Sequence, residues 1–236
     1  MPIPKIETPE YTLTLPSNGQ EVKFRPFLVK EEKILLLAQE SKDTRNIADA
    51  MIKIIDNCTF GELDAKKLSN LDFQYVFLQL RIRSVGETSE FIIKCEHCGH
   101  DNNVIVDLRT AEIVQPEKEI DPIVKVTDNV GINLRPASLL QYAATISVDN
   151  NVADNINDMV KGVVESIYEG DTIYPIDEIS DKEFMEFVDS LTHGQLEHIS
   201  SYIDNEPQLV IKVSFNCESC GEKNETVVKG SQSFFM

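Results

Sequence analysis

Hydrophobic positions along the chain fall into two periodicities that alternate in blocks. Val22, Phe24 and Pro26 alternate with polar residues and predict a short strand stopped by the proline. A further strand is expected at Tyr11–Leu15, before the turn residues Ser17-Asn18-Gly19. Helices follow at Val29–Ser41, at Asn46–Asn57 and from about Leu71 to Arg83. The last carries Phe73, Val76, Phe77 and Leu80 at helical spacing. Phe91–Lys94 and Val104–Asp107 then read as the two arms of a hairpin.

The same order of patterns begins again near residue 130. Val130, Ile132 and Leu134 alternate like a strand, 138–147 reads as a weaker helix, and Ile156, Met159, Val160, Val163, Val164 and Ile167 form a regular apolar face. Phe184, Phe187, Val188 and Leu191 repeat the earlier aromatic stripe. Leu209, Ile211, Val213 and Phe215 then alternate with period two. Aligned on itself at an offset of about 110, the chain matches Phe24-Arg25-Pro26 with Leu134-Arg135-Pro136 and Asn46-Ile47 with Asn155-Ile156. Helix-start signals precede both stripes: Ser69 with Asp72, and Ser180 with Glu183, the second pair closer to a capping box. A stretch around Thr192–Ile203 has no counterpart in the first copy and predicts one extra short helix.

These patterns predict an α+β protein of two repeated lobes. Each lobe would comprise a strand, helices and a hairpin. The expected division is an N-terminal arm over 1–21, a first repeat over 22–109, a linker over 110–129, a second repeat over 130–230 and an apolar tip over 231–236 that includes Phe234, Phe235 and Met236. Arg25 and Arg135, each before a proline, are expected to fix the strand-to-helix corner through an ion pair or a carbonyl contact.

Each hairpin turn carries a pair of cysteines. Cys95-Glu96-His97-Cys98-Gly99 and Cys217-Glu218-Ser219-Cys220-Gly221 are each half of a metal site, since two sulfurs cannot fill a tetrahedron. The two halves are over a hundred residues apart, so the chain must return across a whole domain to close the site. We therefore expect Cys95, Cys98, Cys217 and Cys220 to hold one structural zinc ion per chain, joining the lobes in a shared zinc ribbon. His97 and His100 are expected as exposed turn residues, and Cys58 as an inert core thiol. The competing reading is a redox dithiol, which needs a cysteine at a helix start to stabilise its thiolate, whereas both pairs here follow strands.

Composition narrows the remaining choices. In 236 residues there are 40 acidic and 22 basic side chains, a net charge of −18 spread along the chain. Such a field repels phosphate and anionic membranes and favours basic partners. An acidic zinc ribbon acting as a regulator or DNA mimic is the third alternative, disfavoured by its scattered carboxylates. No apolar leader or bilayer-length run is seen, and five cysteines, four in close pairs, suit a reducing cytosol. H-E-x-x-H, Gly-rich phosphate loops and G-x-S-x-G are absent, so no enzymatic role is expected, and the acidic charge argues against a nucleic-acid one.

Leu15-Pro16-Ser17-Asn18-Gly19, the run Phe24-Arg25-Pro26-Phe27-Leu28-Val29-Lys30-Glu31-Glu32-Lys33 with Leu35-Leu36, and Ser84-Val85-Gly86 resemble the baseplate hub proteins of T-even-type contractile-tailed phages, most strongly over Leu15–Asp107. That family includes hub subunits and hub assembly factors. The resemblance implies a non-enzymatic role in building the hub, with other hub and tail-tube proteins as partners and oligomeric state left open. It places the protein in the host cytoplasm during assembly and leaves open whether it stays in the tail baseplate. The zinc assignment rests on the cysteines and not on the family.

Overall fold

The computed structural model describes residues 7–41, 43–138 and 152–229. The helix expected over 138–147 lies outside the described residues except for Ser138, and so does the tip over 231–236. Strands β1 (Tyr11–Thr14) and β2 (Glu21–Phe24) form an antiparallel hairpin. Helices α1 (Val29–Glu40), α2 (Thr44–Cys58) and α3 (Asn70–Ser84) follow, and then the hairpin of β3 (Thr88–Lys94) and β4 (Asp101–Asp107). Leu13, Leu15, Val22 and Phe24 pack with Met51, Ile55, Phe73, Val76, Phe77 and Leu80 in a first core. Residues 11–15 are thus part of a packed unit, although the sequence suggested an arm there.

Capping explains where the helices begin. Asp43 accepts from the Arg45 amide at 2.9 Å at the start of α2, and Ser69 accepts from the Asp72 amide at 3.1 Å at the start of α3. The Asp72 carboxylate also accepts from the Ser17 amide at 3.0 Å, which ties the β1–β2 turn to α3. At the corner after β2, Arg25 pairs with the fully buried Glu31 at 3.0 Å and donates to the Pro26 carbonyl at 2.9 Å. Both contacts are of the kind expected there.

The second half is built on a four-stranded antiparallel sheet in the order β6-β7-β8-β9, namely Ile123–Lys125, Val130–Leu134, Val164–Glu169 and Thr172–Pro175. Helices α4 (Val152–Val163), α5 (Asp181–Asp189) and α6 (His193–Asp204) pack on it around Ile132, Val160, Val163, Val164, Phe184 and Ile199. Ser180 and Glu183 close a reciprocal capping box at α5, and α6 lies where an additional short helix was expected. One element departs from the sequence reading. The apolar face expected to run through Ile167 is helical only to Val163, and Val164 and Ile167 lie on β8. Consecutive β-branched valines favour extended backbone, and β8 gains ladder bonds from β7 on one side and β9 on the other.

β10 (Gln208–Asn216) and β11 (Lys223–Lys229) form the last hairpin, and β5 (Glu112–Val114) adds to the outer edge of β10. The segment expected as a linker thus supplies both β5 and β6. A third core joins the halves: Leu78 and Ile82 of α3 meet Val106, Leu108, Leu209, Ile211 and Val213. α3 is therefore apolar on two sides, one for each core. Ser69 and Ser138 form an isolated bridge, and the Asn70 amide donates to the Ala137 carbonyl at 2.8 Å.

Candidate metal centre

Each hairpin ends in a tight turn that presents two sulfurs. In the first, the Gly99 amide donates to the Cys95 carbonyl at 2.9 Å, and the Cys95 amide donates to the His100 carbonyl at 2.9 Å. The second repeats this arrangement, with Gly221 to Cys217 and Cys217 to Glu222, both at 2.9 Å. Gly99 and Gly221 have φ of 73° and 78°, a left-handed conformation that a side chain would strain. Glycine after the second cysteine is therefore required by the turn.

The two turns meet. All four sulfurs of Cys95, Cys98, Cys217 and Cys220 lie within 4.8 Å of one another, close enough to bind a metal ion. The short cross-turn separations are 3.7 Å from Cys95 Sγ to Cys220 Sγ and 3.6 Å from Cys98 Sγ to Cys217 Sγ. Metal–sulfur bonds of about 2.3 Å in a tetrahedron place sulfurs roughly 3.8 Å apart, so the cage fits a zinc-sized ion. Cys95 and Cys217 are buried, and Cys98 and Cys220 are exposed. His97 and His100 are exposed and belong to no ligand cluster among the described residues.

Charge explains what such a cage wants. Burial opposes ionisation of Cys95, but the backbone amides of Cys98 and His97, with the Asn224 side chain and the Cys217 thiol, outweigh it and bring its pKa down to about 6. The Cys220 and Ser219 amides lower Cys217 against burial. At Cys220 a backbone hydrogen bond at Glu222 favours the thiolate, but burial and the sulfurs of Cys98, Cys217 and Cys95 push it up to about 12. Four adjacent thiols cannot all lose protons unless a cation takes their place.

Two residues at this site were not singled out from the sequence. Asn102 Oδ1 accepts from the Glu218 amide, and Asn224 Oδ1 accepts from the Glu96 amide, both at 2.9 Å. The signal was available: each asparagine stands four positions after the second cysteine of its own turn. Cys58, by contrast, is where it was expected. It is fully buried in the first core, and burial pushes its thiol up to about 11.

Comparison with known proteins decides the class. The family described as T4 bacteriophage base plate protein matches residues 8–236. The chain belongs to that family. No curated protein and no solved structure matches it. Membership points to a structural role in a phage base plate, among other base plate components. Among its described residues, no helix is long and apolar enough to cross a membrane. A cavity of about 420 Å³, lined in part by Pro116, Pro122, Tyr202 and Glu206, contains none of the cysteines.

Proposed function

We propose that this base plate protein is a non-enzymatic component or assembly factor of the baseplate hub, acting by binding other hub and tail-tube proteins, with one structural zinc ion held by Cys95, Cys98, Cys217 and Cys220. The observation that carries the reading is closure of the sulfur cage. Four sulfurs from two distant turns gather within 4.8 Å of one another, and as ligands they would fill a tetrahedral shell and leave no open position for a substrate. The ion would act mechanically, locking a turn from each half.

Two related lobes are part of this reading. Supporting them, the Arg25 amide donates to the Cys58 carbonyl at 3.0 Å, and the Arg135 amide donates to the Val163 carbonyl at 2.7 Å. Each bond joins the end of a strand to the end of a helix at matching places in the two halves. Surface chemistry supports a binding role. Leu36, Leu37, Ile92 and Ile105 are more than half exposed, on a strongly acidic molecule suited to basic neighbours.

Co-expression with neighbouring tail proteins, followed by isolation of the complex, tests the hub assignment. A hub component should co-purify in fixed proportion. Recovery of this protein alone, with the hub components soluble in the same cells, would overturn it. The redox alternative requires turnover of a dithiol substrate, and the proposed role predicts none.

A further inference from the structure

The sulfur cage is bracketed by a second set of contacts that needs no ion. Both turns read C-E-x-C-G-x-x-N, from Cys95 to Asn102 and from Cys217 to Asn224. Asn102 and Asn224 are buried, at 1% and 3% exposure. Each uses its two ends differently. Asn102 Nδ2 donates to the His100 carbonyl of its own turn at 2.9 Å, while its oxygen receives the Glu218 amide of the other. Asn224 mirrors this, donating to the Glu222 carbonyl at 2.9 Å and receiving the Glu96 amide. A side-chain amide has donors at one end and an acceptor at the other, so only this orientation satisfies both neighbours.

We propose that Asn102 and Asn224 are positioning residues that cross-latch the two turns and hold the four sulfurs together before an ion enters. The geometry is reciprocal: the residue after the first cysteine of each turn is gripped by the asparagine of the other. That makes the contact two-fold within one chain, like an isologous dimer interface. Because Glu96 and Glu218 directly follow Cys95 and Cys217, fixing their amides fixes the two buried sulfurs at the root of the cage. A site preset in this way loses less freedom when it takes up a metal. The inference deepens the zinc reading and rests on it for the metal's identity.

The test uses the full-length reduced protein, metal-free and zinc-loaded, with Asn102→Ala and Asn224→Ala. In the metal-free wild type, the Glu96 and Glu218 amides should be protected from hydrogen exchange. Asn224→Ala should free the Glu96 amide and leave that of Glu218 protected, and Asn102→Ala should do the reverse. A residue that merely stabilised its own turn would not produce this crossed pattern. Zinc affinity, measured by chelator competition, should fall about 10- to 100-fold in each variant. Free exchange of both amides in the metal-free wild type, or unchanged zinc affinity in both variants, would overturn the latch. A wild type that takes no zinc but keeps both amides protected supports the latch and removes the zinc reading.

Discussion

Two of the contacts between the halves, among the described residues, are chemically opposite. One is the core of Leu78, Ile82, Val106, Leu108, Leu209, Ile211 and Val213, which is apolar and is stabilised by burial. The other is the clasp of four sulfurs and two asparagines, held by polar groups. The difference teaches how the work is divided. Apolar packing needs no ligand, whereas the clasp, on the proposed zinc reading, would reach full strength only when an ion replaces its thiol protons.

The largest expected effect comes from opening the apolar contact. Ile211→Ala and Leu78→Ala remove side chains that are 0% and 1% exposed, and each should lower the unfolding free energy by about 2–5 kcal/mol. Denaturant titration should give that loss with or without a chelator, and a loss seen only with zinc present would break the comparison. The next effect is confined to the clasp. Stripping zinc should cost about 2.7 kcal/mol when the free ion had been at a hundred times its dissociation constant. Hydrogen exchange should then rise in the turns around Cys95 and Cys217 while α3 stays protected. Rapid exchange throughout α3 would mean that metal, not packing, docks the halves.

A smaller test contrasts the partnered asparagines with a carboxylate that has no cation beside it among the described residues. Glu206 accepts from the Ala137 amide at 2.6 Å, and burial raises its pKa from 4.5 to about 7. Below about 4.5 it is neutral in folded and unfolded chains alike and costs nothing, and the cost grows as pH rises towards about 7. Glu206→Gln should therefore leave stability unchanged near the acid end and raise it at pH 8, by on the order of 1–3 kcal/mol. Equal stability of the two proteins across that range would contradict the uncompensated charge. The smallest effect belongs to the exposed Lys212–Glu112 pair between β10 and β5. Lys212→Ala should shift stability by no more than about 1 kcal/mol, less at high salt.

The clasp was more legible in the sequence than the core it accompanies. Paired cysteines at fixed spacing before glycine state their chemistry locally, and the missing half of each ligand set demands a partner turn. Asn102 and Asn224 stand in the same repeat, but an asparagine near a turn ordinarily serves its own loop, so the sequence alone does not mark them. The shared core could not be read in advance. Its seven buried residues come from α3, the end of β4 and its following turn, and β10, and the stripe of α3 that drew attention faces the first core. β8 was hidden for a different reason: Val164 and Ile167 keep helical spacing from Val160, and only pairing with β7 and β9 decides for a strand. β5, three residues in a proline-containing charged stretch, owes its existence to the edge of β10.

The most direct test counts zinc in freshly purified, reduced protein and in two paired variants, Cys95→Ser with Cys98→Ser and Cys217→Ser with Cys220→Ser. A single ion shared between the halves predicts about one zinc per chain in the wild type and none in either variant. A wild type without zinc, or one ion retained after either pair is removed, would contradict the shared cage.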